Sequence, residues 1–375
     1  MQQVICYYLS GFGFGHLTRS LAVMENILAT RNDIHILIKA TPRLLAKAEQ
    51  YLGKFEGRFS LHPFYSGFAI VTNPATFCID LQATQEDVLK WLAGLPASAE
   101  HEGQFLQTGN VSLVLSDIVP EAFAAAKIAN IPAIGISNFT WYEVCADFIQ
   151  DKHVLTTLLE MYKQAACLLV YPYSTGDLVP IAERIQIGLV VRPFDPVRIE
   201  QIRKQYKQAG CPLAFLSVGG STRIEEFPIR EDMDYLITMG IKVPELPNVY
   251  SLPPDMTDSH NYLAACDVTI TKCGWSTVAE ATRAEKPMWL MLSKNGWLEE
   301  LCIFSEIAAL GIGRARAFED MRSLSTEEVS TELGEMRDAY CQLPSGYYDG
   351  LDKLTNVIEA YLGQGLGTGE LGARG

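Results

Sequence analysis

The stretch "TKCGWSTVAEATRAEKP", Thr271–Pro287, decides how this chain folds. Just before it, Val268–Thr271 is apolar and β-branched, which predicts a strand. Gly274 breaks that strand, Ser276–Ala284 reads as an amphipathic helix, and Met288–Leu292 is a second strand. This is a βαβ unit. Its helix would direct free N–H groups and the hydroxyls of Ser276 and Thr277 into the space beyond the strand end, where open parallel sheets hold their ligands. Glu280 follows one turn later on the same side as Ser276. A helix start for a diphosphate with a carboxylate for a ribose diol makes a nucleotide site. A simple capping arrangement of Ser276 and Glu280 is the alternative. Lys272 either adds charge for a phosphate or snorkels to the surface.

Working outward, the same alternation fills the second half of the chain. Leu213–Val218 predicts a strand that runs into Gly219-Gly220-Ser221-Thr222, small and hydroxylated residues able to surround a phosphate. Tyr235–Ile241 and Asn248–Leu252 read as strands, and His260–Ala265 and Glu299–Leu310 as helices. Glu299 and Glu300 suit sugar hydroxyls, or simply the dipole of the helix they open. The first half repeats the pattern. Strands are expected at Val4–Leu9, Ile34–Ala40, Val111–Ser116, Ala133–Ser137 and Ala166–Tyr171, and helices at Leu17–Ala29, Pro42–Leu52 and Glu121–Ala129. Phe59–Gln107 is less regular, with at least one helix, around Thr84–Leu92. Continuously apolar strands between amphipathic helices predict parallel sheets covered on both faces.

The fold class is therefore α/β, with two Rossmann-like doubly wound domains facing across a cleft. The expected divisions are 1–191, a linker at 192–212, a second domain at 213–345, a helix within 346–362 and a flexible glycine-rich tail at 363–375. The chain has 375 residues, too many for one ordinary core, and a formal charge of −14. That charge argues against nucleic acid and disfavours docking on an anionic membrane. No apolar run is long enough to cross a bilayer and no signal peptide is apparent. The nine cysteines show neither CxxC nor zinc-ligand spacing, which fits reduced thiols in a cytoplasmic protein.

The first strand ends in "SGFGFGHLTRS", Ser10–Ser20. Gly13 and Gly15 allow a tight strand-to-helix turn under a bound substrate. The pattern is neither the dinucleotide fingerprint, which needs G-x-G-x-x-G, nor a P-loop, which needs GK[ST]. His16 at the helix start is placed for proton transfer, or else closes its own loop as a structural histidine. Asp117, at the end of another strand, can orient His16 or cap the helix after it. Asn138, Trp141 and Tyr142 form an aromatic, hydrogen-bonding patch at the next strand end, suited to an acceptor or to packing against the neighbouring loop.

These residues carry a resemblance. The GxGH turn, "SVGGST" and "KCGWSTVAEATRAEKP" are similar to GT-B glycosyltransferases that use nucleotide sugars. With "SDIVPEAFAAAKIANIPAIGISNFTW" and "LVVRPFDPVRIEQIRKQ" the likeness is nearest to the glycosyltransferase-like half of plant L-arabinokinases and their bacterial relatives, over most of residues 4 to 310. No kinase half is seen. The resemblance implies a GT-B fold with His16 as the base that deprotonates an acceptor hydroxyl and Asp117 as its partner. It implies Gly220 and Ser221 at the diphosphate loop and Gly274, Ser276 and Thr277 at the phosphate-binding helix start. Glu280 falls on the ribose, Glu299 or Glu300 on the donor sugar, and the final helix, near Leu351–Tyr361, crosses back onto the first domain. The sequence departs from the pattern at Phe12 and Lys272, where relatives carry histidines, and in the shortened Ser221–Asp234 segment, which holds Pro228. The expected activity is sugar transfer from a nucleotide sugar, of UDP type, to an acceptor hydroxyl. It should need no metal and no cofactor and should invert the anomeric centre. A silent nucleotide-sugar-binding protein, or a hydrolase or epimerase, remains as an alternative.

Overall fold

Successive side chains of β1 (Gln3–Leu9) point to opposite faces of a sheet, and both faces are covered. Ile5, Tyr7 and Leu9 join one hydrophobic cluster, Cys6 and Tyr8 another. Two-sided burial is what a continuous apolar run demands of a parallel strand. The computed structural model describes residues 2–11, 13–68, 80–149, 152, 155–176, 179, 181, 183–219, 223–292 and 298–363.

After β1 come α1 (Gly15–Thr30), β2 (Ile34–Ala40), α2 (Pro42–Leu52), β3 (Phe59–Pro63), α3 (Leu81–Thr108), β4 (Leu113–Asp117) and α4 (Pro120–Ala129). Then follow β5 (Ala133–Ser137), α5 (Trp141–Phe148), α6 (Thr156–Tyr162), β6 (Cys167–Val170), β7 (Arg184–Gln186) and α7 (Pro196–Tyr206). The second series is β8 (Leu213–Ser217), β9 (Asp234–Ile237), β10 (Val249–Ser251), α8 (Ser259–Ala265), β11 (Val268–Lys272), α9 (Trp275–Arg283), β12 (Met288–Met291), α10 (Leu298–Ala309) and β13 (Gly313–Ala315). Among the described residues three helices follow: α11 (Phe318–Ser323), α12 (Thr326–Tyr340) and α13 (Gly350–Gly363).

One sheet has the order β3-β2-β1-β4-β5-β6-β7 and the other β10-β9-β8-β11-β12-β13, and the strands of both pair in parallel. In each the order reverses beside the first strand, between β1 and β4 and between β8 and β11. Those two crevices are the topological switch points where doubly wound sheets bind ligands. Among the described residues no helix is long and apolar enough to cross a membrane.

Several elements differ from the sequence expectations. α3 is far longer than Thr84–Leu92 and runs on past Pro96, with Asp80 capping its start through the Ala83 amide (3.0 Å). The strand expected at Tyr235–Ile241 stops at Ile237, because Gly240 turns the chain at φ 96° and Ile241 pairs only as a single bridge with Ile224. The segment expected as a linker carries α7, capped by Asp195 and anchored by the buried Ile202 against α8. Short β3, β7 and β13 were not expected, nor were α5, α6, α11 and α12. Residues 364–375 of the expected tail lie outside the described ones.

The two sheets meet through a shared core. Trp275 of α9 lies against Tyr171, with ring centroids 4.4 Å apart, and its indole N–H donates to the Pro172 carbonyl (2.8 Å). The Tyr173 hydroxyl pairs with Thr282 (2.9 Å). α13 returns to α1, where Asn26 donates to Thr355 (2.8 Å) and Arg31 pairs with Glu359. The chain reaches α13 by crossing Gly188 at backbone contact: a Cβ at residue 188 would lie 2.6 Å from the Gly346 carbonyl and 2.7 Å from the Gly350 amide. Gly188→Ala is therefore expected to cost about 1–3 kcal/mol by overpacking and to loosen α13. Its melting temperature should fall, and limited proteolysis should cut between α12 and α13 sooner than in the wild type. Unchanged protease resistance would contradict this packing.

Candidate active site

The first switch point is built around a buried carboxylate. β4 ends on Asp117, and the chain leaves it through Ile118 in the left-handed region at φ 58°. A β-branched residue there is strained, and the turn persists because neighbours hold it. Tyr162 donates to the Ile118 carbonyl (2.5 Å) and Ser116 to that of Val119 (2.9 Å). The strained turn keeps Asp117 pointing back under the start of α1 rather than capping α4, whose N-cap is Val119 without a side-chain bond.

Asp117 faces two cations or potential cations. His16 Nδ1 lies 3.0 Å from Asp117 Oδ1. Arg19, one helical turn on, grips both carboxylate oxygens: Nε donates to Oδ2 (2.7 Å) and Nη2 to Oδ1 (2.5 Å). The Ser20 hydroxyl adds a bond to Oδ2 (3.2 Å). Burial by itself would raise the Asp117 carboxyl. The charges and hydrogen bonds of Arg19 and His16 outweigh it and hold the group down at about 2. Arg19 is 3% exposed; burial works against its charge, yet Asp117, with Tyr171 and Glu299, keeps it above its ordinary value. Its guanidinium also lies over the Tyr171 and Trp275 rings, 5.5 and 5.3 Å from their centroids.

The second switch point holds the α9 helix start. Its N-cap is Gly274, no side chain caps it, and Ser276 and Thr277 are partly exposed in the first turn. Ser276 reaches across to the start of α1 and donates to the Gly15 carbonyl (2.7 Å). Lys272 ends β11 close beside Gly219, and burial lowers its pKa while Glu299 and Glu300 raise it. Glu280 is buried and does not cap α9: Oε1 accepts from Arg192 Nε (3.0 Å) and Nη2 (2.8 Å). Burial pushes its carboxyl up and Arg192 opposes this. Glu300 is buried near the start of α10, while Glu299 is half-buried and accepts from Asn138 Nδ2 (2.9 Å).

The structure thus gathers His16, Asp117, Gly15, Asn138, Ser276 and Glu299 at one place. Gly13 lies in the same loop at φ 73°. Gly220 and Ser221 lie outside the described residues. Trp141 needs correction as an acceptor contact. It is 1% exposed, inside a cluster with Phe68, Trp91 and Phe139, so the wide apolar ring serves the core. Tyr142 beside it is partly exposed. The sequence reading missed Arg19 and Arg192. His16 and Arg19 stand at i and i+3 on one helix face, a readable signal. Arg192 had none, since its partner Glu280 is distant in the chain.

A second buried carboxylate opens α4. Glu121 is 1% exposed and accepts from Ser66 (2.8 Å), and burial pushes it up from 4.5 to about 7. A folded-state value above the unfolded one means stability is fully present below pH 4.5 and drains as pH rises toward 7. Glu121→Gln should remove that loss and gain up to roughly 3 kcal/mol on the wild type above pH 7. Denaturant melts across this range check it, and parallel stability–pH curves for the two proteins would contradict the assignment.

No family model matches the chain. In sequence it is similar to the L-arabinokinase of Arabidopsis thaliana, 24% identical over 294 residues. The match covers 76% of this chain, which spans 28% of the length of that relative. Solved structures resemble it nearly end to end. They include Phytolacca americana UGT2 complexed with UDP-2-fluoro-glucose and pterostilbene (TM-score 0.62, 13% identity, 96% and 99% of the two chains covered). Arabidopsis thaliana UGT89C1 complexed with UDP superposes at TM-score 0.65, with 11% identity and 96% and 100% covered. CalG4, the calicheamicin glycosyltransferase, gives 0.61, with 15% identity and 97% and 99% covered. The fold is GT-B: two parallel-sheet α/β domains, of seven and six strands.

Proposed function

We propose that this protein is a glycosyltransferase that moves a sugar from a UDP-sugar to an acceptor hydroxyl. The observation that carries the reading is the juxtaposition across the cleft. A histidine paired with a buried carboxylate stands at the first switch point, and an uncapped helix start at the second, joined by the Ser276–Gly15 hydrogen bond of 2.7 Å. The choice of UDP rests on the solved relatives, two of which hold UDP or a UDP-sugar.

In this mechanism the acceptor lies over the Gly13–His16 turn and the donor on the second sheet. His16 Nε2 takes the acceptor's hydroxyl proton as the acceptor oxygen bonds to the anomeric carbon. The bond from that carbon to the diphosphate breaks, and the diphosphate leaves with the electron pair. The α9 amides, Ser276 and Thr277 stabilise its charge, with Lys272 nearby, and this takes the place of a metal ion. Glu280, held by Arg192, meets the ribose, and Glu299 or Glu300 the sugar. A base on the face opposite the leaving group inverts the anomeric centre.

Two measurements test this. In a melting screen of UDP-, GDP- and dTDP-sugars, a saturating UDP-sugar should raise the melting temperature by a few degrees, since ligand at about 100 Kd adds about 2.7 kcal/mol. No shift with any nucleotide would sink the donor site. His16→Ala should lower kcat/KM for transfer about 10²–10⁴-fold with the UDP melting shift retained. Full activity in that variant would remove His16 from the chemistry.

A further inference from the structure

A histidine base supported by a carboxylate gains from the negative charge beside it, because the imidazolium that forms on proton uptake is stabilised. Here the carboxylate is not free to supply that charge alone. Arg19 occupies both oxygens of Asp117, and both side chains are almost wholly buried, so the pair is close to neutral as seen from the ring. The guanidinium also reaches the ring itself: Arg19 Nη2 lies 2.8 Å from His16 Nδ1, nearer than Asp117 Oδ1 at 3.0 Å. One nitrogen therefore faces a hydrogen-bond acceptor and a donor at once. If Nδ1 carries the proton it donates to Asp117, and Nε2 keeps the lone pair a base needs. If Nδ1 accepts from Arg19, the proton sits on Nε2 and the ring cannot take another there. Nη2 has a third neighbour, the Ser137 hydroxyl oxygen at 3.2 Å, which can accept its hydrogen bond in the first arrangement.

We propose that Arg19 is a positioning residue for the proton transfer: it locks Asp117 in place, sets which nitrogen of His16 carries the proton, and opposes a second proton on the ring. The inference rests on His16 being the base of the proposed reaction, and Arg19 acts through His16 and Asp117 without touching the substrate. Among the described residues the ionisable groups around the ring are few. They are Asp117 from β4, Arg19 from α1, the buried Tyr7 of β1, Tyr171 after β6, and Glu299 from α10, whose field reaches Arg19. Phe139 covers the ring at 5.7 Å between centroids. Arg19 is the cation among them that touches the imidazole. It also extends the arrangement across the cleft, since Nη1 donates to Asn138 Oδ1 (2.6 Å) and Asn138 Nδ2 donates to Glu299 of the second sheet (2.9 Å).

The test compares wild type with Arg19→Met and Arg19→Lys in the full chain. Two readouts are followed: the pH profile of kcat/KM for transfer, and the titration of the His16 ring by 15N NMR, which needs no turnover. Arg19→Met should move the acid limb of the profile, and the NMR midpoint of His16, to higher pH by about one unit, because an unshared carboxylate favours the imidazolium. Arg19→Lys keeps the charge but not the two-point grip. It should leave the acid limb in place while kcat falls about tenfold or more and the KM for the donor stays within about twofold. Where Arg19→Met, its buried carboxylate stripped of a partner, fails to fold, Arg19→Lys decides through the split between kcat and KM. A wild-type-like pH profile and NMR midpoint in Arg19→Met, or a wild-type-like kcat in Arg19→Lys, would overturn the proposal. Absence of turnover in wild type with an intact NMR response to Arg19→Met would instead count against the transferase reading and leave the role of Arg19 standing.

Discussion

The structure of the site depends on one buried ion pair. Asp117 and Arg19 sit where strand order reverses, each almost wholly removed from water. Two charges in such a place are costly to bury, and only their mutual geometry makes the arrangement tolerable. Removing one partner from a pair of this kind costs about 3–5 kcal/mol, because the other is left uncompensated. The turn at Ile118, the position of α1 and the orientation of His16 all follow from satisfying that carboxylate. The pair is a poor contributor to stability compared with apolar side chains of similar volume, which makes its presence a statement about function.

A second constraint is the closeness of the two sheets. Ser276 donates to the Gly15 carbonyl, Asn138 donates to Glu299, and Arg192 holds Glu280. Each bond engages a side chain assigned to the donor, and two of them cross from the first sheet to the second. A diphosphate arriving at the α9 helix start must take the Ser276 hydroxyl from Gly15. In the proposed reaction a ribose would share Glu280 with Arg192. Donor binding as proposed would thus exchange existing hydrogen bonds for new ones, and its net strength would be the difference between them.

Much of this was legible in the chain. The strands at Ile34–Ala40 and Ala133–Ser137 and the helix at Pro42–Leu52 can be read residue by residue, because apolar runs between turn residues leave little choice. His16 and Asp117 are legible as a pair once strand ends are known to converge at a switch point. What could not be read has physical reasons. Trp141 looks like a surface aromatic in "NFTW", but its burial is decided by Phe68 and Trp91, from two other parts of the chain, which close around it together with the neighbouring Phe139. The grip of Arg192 on Glu280 joins residues far apart in sequence and follows no local period. α3 continues through Pro96, since α3 is packed against α4 and tertiary contact offsets a poor helix former.

The most direct test of the account is a crystal structure of the protein with UDP bound. The account requires the diphosphate at the α9 start, within hydrogen-bond distance of the Ser276 hydroxyl, with the Ser276–Gly15 bond broken and the ribose against Glu280. UDP bound elsewhere on the molecule, with the Ser276–Gly15 bond intact, would contradict it.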